Sequence, residues 1–216
     1  MNKDLNSAFL YGESIFTTCK VVSGDIYDWS IQLKRLFDSA HKFYSDKSLG
    51  YLEERIVETV DVDGFTGALR ITIFKDFNSD LDFKISKRKI VNFEKEPVVL
   101  KLVKRVQSEL LDEFKIGSYG KEFYLKKIIA KDGVDDILFF GEGKVFETSV
   151  ANIFFRKEKT LFTPQSGIYK GLTRSKLIKR ENVVQKDILL EELDSFDEIF
   201  LVSSLYEKVI VKDIIR

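Results

Sequence analysis

Residues 115–155 read KIGSYGKEFYLKKIIAKDGVDDILFFGEGKVFETSVANIFF, and the change of rhythm inside this stretch decides the fold. YGKEFYLKKIIAKDG spaces Tyr119, Phe123, Ile128 and Ile129 as the inner face of a helix, with Gly133 as its stop. DILFFGEGKVFET then reads as a hairpin turning at Gly141-Glu142-Gly143, and ANIFFRKEKTLFTP as another turning at Lys157-Glu158-Lys159. A helix from Thr173, a strand near Val183, a short helix near Leu190 and the strands EIFLV and KVIVKDI follow. Upstream, residues 9–28 read as two strands joined at Ser23-Gly24. SIQLKRLFDSAHKFY puts Leu33, Leu36, Phe37, Ala40, Phe43 and Tyr44 at helical spacing, with Ser30 as N-cap. Leu52, Ile56, Val57 and Val60 mark a second, short helix. ALRITIF (68–74) and PVVLKLVKRV (97–106) read as strands, and FNSDLDFKISKRK between them as a polar connection. Runs of strands with interspersed helices predict an α+β chain with a domain boundary within 94–114.

The chain has 216 residues, 35 Lys+Arg against 35 Asp+Glu, and 44% hydrophobic residues. That size buries about 70% of the unfolded surface, enough for a core without staples. Balanced charge gives no basic face for nucleic acid. No apolar run reaches membrane-span length and MNKDLNSAFLYGE carries no signal-peptide core, so a cytoplasmic protein is expected. Cys19 is the only cysteine and His41 the only histidine, which excludes an internal disulfide and a Cys/His zinc cluster. A nucleophilic triad would have to pass through His41, which reads as a core or surface residue of its helix. Neither GxGxxG after a strand nor GxxxxGK[ST] occurs. Any enzyme here draws on Lys, Glu, Tyr, Thr and Arg, which narrows the chemistry to lysine Schiff bases or carboxylate acid/base work.

Taken singly, no residue announces a site, but several short segments follow one another in a telling order. YGESIFTT, QLKRLFDSA, LRITI, Lys115 ahead of GVDDIL, VFETSVANIFF, TLFTP, GLTR and EIFLVSSLYEKVIV run in sequence from about Leu10 to Val211. This series resembles the class IV aminotransferase family, the fold-type IV pyridoxal-phosphate enzymes. The resemblance implies two domains: a small α/β domain over 1–94, a connection and first strand over 95–114, and a larger cofactor-binding domain with a barrel-like sheet over 115–216. It also implies a strand ahead of the YG segment that this chain starts too late to include, so an N-terminally shortened fold is expected.

The resemblance further implies pyridoxal 5′-phosphate as cofactor and assigns its contacts. Lys115 stands at the place of the catalytic, cofactor-bearing lysine, which must lose its proton to act. Tyr119 matches a position near the cofactor's phenolic oxygen, and reads equally as a core aromatic. Glu147 matches the carboxylate that keeps the ring nitrogen protonated, so that the ring takes up carbanion electrons. Asn152 in the same motif reads as a structural hydrogen-bonder. Leu172 and Thr173 match the phosphate site at a helix start, where free N–H groups suit an anion, and Thr173 also reads as a cap. Arg35 matches the phosphate-binding arginine, and Ser204 a hydroxyl near phosphate or substrate. Tyr11, Phe16, Thr18 and Arg70 match the substrate side. Gln32 stands where the family usually has histidine.

Thr17-Thr18 stand where aminotransferases of the family usually carry glutamate, and this FTT resembles 4-amino-4-deoxychorismate lyase. The implied reaction is elimination of pyruvate from 4-amino-4-deoxychorismate to give p-aminobenzoate, a folate precursor. An aminotransferase acting on branched-chain or D-amino acids is the alternative, and a non-catalytic relative a third. The family also implies a small-molecule substrate and a homodimer.

Overall fold

The structure, a computed structural model, describes residues 5–45, 49–106 and 111–216. Residues 1–4 of the opening stretch and 107–110 of the expected connection lie outside the described residues. The chain divides into two units, the first running to Asn92 and including Phe114–Tyr119, the second holding Phe93–Glu113 and Gly120–Arg216.

In the first unit, Asn6 caps a short helix, α1 (Ser7–Tyr11), where a strand was expected from residue 9. Gly12 ends it at φ 68°, and a Cβ there would come within 2.6 Å of the Ser118 Cβ. Strands β1 (Ser14–Val22) and β2 (Asp25–Ile26) form the expected hairpin at Ser23-Gly24. Helix α2 (Trp29–Tyr44) starts at Asp28, in the left-handed region, so Ser30 lies inside the helix and does not cap it. Helix α3 (Leu49–Thr59) and strand β3 (Gly67–Lys75) follow. Residues read as a polar connection form a full strand, β4 (Leu81–Lys89). Only Leu81, Phe83 and Ile85 of β4 reach the core. The charged run after them hid the alternation, and its pairing with β3 holds the rest as a sheet edge. The antiparallel order is β2-β1-β3-β4, with α2 and α3 packed over Ile15, Ile71 and Ile73. Because β2 pairs only with Val21 and Val22, the rest of that β1 edge is open. The returning segment fills it: Phe16 N donates to Lys115 O at 3.0 Å, and Ile15 bridges Ile116. That pairing groups Lys115 with the first unit, not with the 115–216 stretch expected to carry it.

The second unit begins with β5 (Val98–Lys104) and α4 (Gly120–Ile129), whose last turn tightens into a 3₁₀ turn before Gly133 at φ 73°. Tyr119 precedes α4, and Phe123 and Ile128 are exposed; of the α4 residues only Ile129 is buried. The hairpins read from sequence are β6 (Asp136–Gly141) with β7 (Lys144–Thr148), and β8 (Asn152–Lys157) with β9 (Thr160–Thr163). Then come α5 (Leu172–Arg180), β10 (Val183–Gln185), β11 (Ile188–Leu189), a 3₁₀ helix (Leu190–Ser195), β12 (Glu198–Val202) and β13 (Val209–Ile215). The mixed sheet runs β10-β9-β8-β12-β13-β5-β6-β7-β11. β7 and β8 stand five places apart, about 24 Å across a flat sheet at ~4.8 Å per strand. Residues 149–151 alone join them, a reach of about 15 Å at ~3.8 Å per Cα step, so the sheet must curl. Val98, Leu100, Leu138, Val145, Ile153 and Phe155 pack in the core so enclosed. The tight link, with Thr148 N donating to Ala151 O at 3.0 Å, brings Glu147 and Asn152 side by side.

Candidate active site

In the first unit the pleat of β1 turns Phe16 and Thr18 to one face, and β3 sets Arg70 opposite Thr18. The Arg70 guanidinium lies 3.5 Å from the Phe16 ring centroid, and its Nε donates to Thr72 Oγ1 at 3.2 Å. Lys115 Nζ stands 5.0 Å from the same centroid, and the Tyr119 ring meets it edge-on at 5.6 Å. Three residues named from sequence, Arg70, Lys115 and Tyr119, are thereby gathered around the ring of a fourth, Phe16. Arg70 is half-buried, and burial lowers its pKa, while Tyr119 works in the opposite sense. Among the described residues it has no carboxylate partner. Cys19, fully buried on β1, has its thiol pushed up to about 12 by burial, with the Lys115 charge opposing. Thr18 is half-buried. Tyr11 is 77% exposed on α1. Arg35 is half-buried on α2, one turn from the buried Gln32, whose Oε1 accepts from Thr17 Oγ1 at 2.7 Å. Thr17 and Gln32, two of the positions where this chain departs from the family it resembles, are therefore hydrogen-bonded to each other.

In the second unit Glu147 is held from both oxygens. Its Oε1 accepts from the Tyr169 backbone N–H at 2.9 Å and its Oε2 from Asn152 Nδ2 at 3.0 Å. Arg105 Nη2 lies 3.9 Å from Oε1 and donates to Gly167 O at 2.6 Å, with its guanidinium 4.7 Å from the Phe139 centroid. The N-cap of α5 is Gly171, not Thr173, and no side chain caps it. The first-turn amides of Leu172, Thr173 and Arg174 are thus presented without a capping oxygen. Leu172 is buried and Thr173 half-buried. Arg174 is 2% exposed, and it braces the helix start by donating to Pro164 O and Gln185 Oε1. Burial lowers the Arg174 pKa, and Glu147 counteracts this. Ser204 is half-buried beside a turn closed by Ser203 N to Tyr206 O and Tyr206 N to Ser203 Oγ.

Sequence reasoning passed over Arg105, one of thirty-five basic residues with no local mark. Asn152, read from its motif as a structural hydrogen-bonder, bonds Glu147, Tyr169 and Gly171. No group of three or more metal-ligating side chains occurs among the described residues, and none of their helices is long and apolar enough to cross a membrane.

A model of the family Amino-transferase class IV matches residues 14–214. The aminodeoxychorismate lyase of Bacillus subtilis (strain 168) is 26% identical to this chain over 231 aligned positions, covering 92% of the chain and 76% of the lyase. A Haemophilus influenzae protein is 25% identical over 127 residues, 58% of this chain and 66% of its own length, just under two thirds of that relative. A hypothetical aminotransferase from Mycobacterium tuberculosis, solved with pyridoxal phosphate bound, has the same fold at a TM-score of 0.79. It shares 19% identity, with 97% of this chain and 84% of that one covered.

Proposed function

Since this chain belongs to the Amino-transferase class IV family, a family of pyridoxal-phosphate enzymes, we propose that it is a pyridoxal-phosphate-dependent lyase. In this reading it converts 4-amino-4-deoxychorismate to p-aminobenzoate and pyruvate. The observation that carries the reading is the gathering of Lys115, Arg70 and Tyr119 around the Phe16 ring, a base and an anion binder on one apolar face. The lyase from Bacillus subtilis, matched along 92% of this chain, supports it.

The residues fit the cofactor. Glu147 offers a carboxylate held by two donors, suited to a protonated ring nitrogen. The uncapped start of α5 offers free amides to a phosphate dianion. Leu172 through its N–H, Thr173 through its hydroxyl and N–H, and Arg35 through its guanidinium fork would hold that phosphate, and Ser204 would be a further hydroxyl for phosphate or substrate. Tyr119 would serve the cofactor's phenolic oxygen. The chemistry the bound cofactor supplies is an electron sink for a carbanion. Lys115 Nζ removes the proton from the amine-bearing ring carbon of the substrate. The ring carbon–oxygen bond to the enolpyruvyl group then breaks and the ring becomes aromatic. The proton held on Lys115 Nζ passes to the methylene carbon of the departing enolpyruvate, giving pyruvate and the free lysine with no change in overall oxidation level. Glu147 would keep the ring nitrogen of the bound cofactor protonated. Arg70 binds a substrate carboxylate, and Tyr11, Phe16 and Thr18 line the substrate side. The enzyme works in the cytoplasm on a small-molecule substrate and as a homodimer, so sedimentation should give twice the 25.0 kDa chain mass.

The test is direct. Purified protein incubated with enzymatically generated 4-amino-4-deoxychorismate should release pyruvate and p-aminobenzoate over many turnovers. Rapid, 2-oxo-acid-reversible conversion of the cofactor to its amine form by Leu, Glu or D-Ala, with no pyruvate from the chorismate derivative, would make the protein an aminotransferase instead.

A further inference from the structure

Asn152 is 6% exposed at the start of β8, and each of its polar atoms is committed. Its Nδ2 donates to Glu147 Oε2 at 3.0 Å and to Tyr169 O at 2.8 Å, while its Oδ1 accepts from Gly171 N at 3.1 Å. Gly171 N is shared with Tyr169 O at 2.9 Å, and Tyr169 N donates back to Glu147 Oε1. One amide side chain thus ties a carboxylate on β7 to the residue that starts α5. The fit is close: a Cβ on Gly171 would come 2.5 Å from Asn152 Oδ1, so only glycine lets the helix start approach the amide.

We infer that Asn152 is the positioning residue that joins the Glu147 carboxylate and the α5 N-terminus into one rigid frame. The inference rests on the reading above, in which Glu147 takes the ring nitrogen and α5 the phosphate. The physical case is preorganisation. A carboxylate aimed at a pyridinium must hold one rotamer, and a helix start aimed at a phosphate must hold its distance from that carboxylate. Separate supports would let the two contacts vary independently. A buried amide with opposite ends bonded to each couples them, and its planarity transmits the constraint. Only Asn has this reach with a donor and an acceptor together; Asp accepts but cannot donate, and Ala does neither.

That difference defines the test, read as binding affinity of apoprotein for two probes. One is pyridoxal phosphate; the other is its 1-deaza analogue, in which carbon replaces the ring nitrogen and the phosphate is kept. Asn152→Asp retains the acceptor for Gly171 N and loses the donor to Glu147. It should weaken pyridoxal phosphate by about tenfold or more, as for a lost hydrogen bond to a charged group. It should leave the analogue within about threefold, which takes nothing from Glu147 beyond contact. Asn152→Ala loses both ends and should weaken both probes, and its effect should be non-additive with Thr173→Ala. A purely structural role would lower both affinities alike in Asn152→Asp, or leave both unchanged, and either result overturns the inference. If Asn152→Ala does not fold, the Asp variant alone decides. Wild-type protein that fails to bind pyridoxal phosphate, or that borohydride does not label at Lys115, overturns the reading beneath and not merely the role of Asn152.

Discussion

In the first unit Arg70 and Lys115 rest on the two-dimensional face of one ring, whereas in the second Glu147 is gripped by a backbone N–H and a buried amide. A cation on an aromatic face keeps its attraction while it slides and turns, at about 0.5–2 kcal/mol. A carboxylate in two short hydrogen bonds holds one orientation, and losing a donor leaves a partly buried charge exposed to its full desolvation cost. Under the proposed function the two modes of contact suit different tasks, long side chains around the Phe16 ring for a reacting substrate and a fixed carboxylate at Glu147 for an unchanging ring. The contrast teaches that, on that reading, substitutions at the Phe16 cluster and at Glu147 should fail differently, the first in substrate handling and catalysis and the second in the electronics of the bound ring.

The largest effect belongs to Lys115. Lys115→Ala should lower turnover by about 10⁴-fold, the upper range for losing a positioned base, with the circular dichroism of the fold retained. Borohydride reduction of wild-type protein followed by peptide mass spectrometry should place the adduct on Lys115. An adduct on Lys121, or undiminished turnover in the variant, would remove Lys115 from the centre of the first unit. Next comes Glu147→Gln. It keeps the shape and gives up the negative charge, so the rate at saturating cofactor should fall about 10²–10³-fold, measured by stopped-flow loss of the substrate proton. A rate equal to wild type would erase the distinction between a fixed electronic contact and an ordinary strand-end carboxylate.

Phe16→Leu sharpens the other side of the comparison. It keeps an apolar core residue on β1 and deletes the ring beneath both cations. The substrate KM should rise about tenfold with little change in pyridoxal phosphate affinity, in line with the energy of a partly desolvated cation–ring contact. A change in cofactor affinity with KM constant would reverse the assignment. The smallest effect concerns Cys19, buried beneath the same face. Its thiol is pushed from the usual 9.0 up to about 12, so the folded chain keeps a proton that the unfolded chain gives up in this window. The contribution is whole below pH 9 and declines as pH rises towards 12. Cys19→Ala should therefore flatten the fall in stability over that range, followed by denaturant titration. Native protein should also resist iodoacetamide at pH 8 and react once unfolded.

Amphipathic α2, the hairpins turning at Ser23-Gly24, Glu142-Gly143 and Glu158, and the stop at Gly133 were all legible in the sequence. Each depends on neighbours within a few residues: the period of the apolar positions, or a turn that tolerates positive φ. Strand β4 was not legible, because Leu81, Phe83 and Ile85 count as a strand only once β3 lies beside them. Phe123 and Ile128 have helical spacing in the sequence, yet both are exposed on α4, since spacing alone does not say which face is covered.

The site divides along the same line. By itself the sequence determined the chemical types and their order: one lysine ahead of GVDDIL, a glutamate before SVANIFF, a glycine opening a helix at GLTR. Order and type are properties of the chain as written. Only the tertiary structure decided that Phe16 carries both cations, that Thr17 and Gln32 satisfy each other, and that Asn152 spans from Glu147 to Gly171. Glu147 and Asn152 share one short motif, but the other partners stand 15 to 99 positions apart, where local spacing has no bearing. They meet because β1 has an unfilled edge that the Lys115 segment completes, and because three residues join β7 to β8 across a curled sheet. Hydrogen-bond satisfaction and sheet closure, which act over the whole fold, chose them.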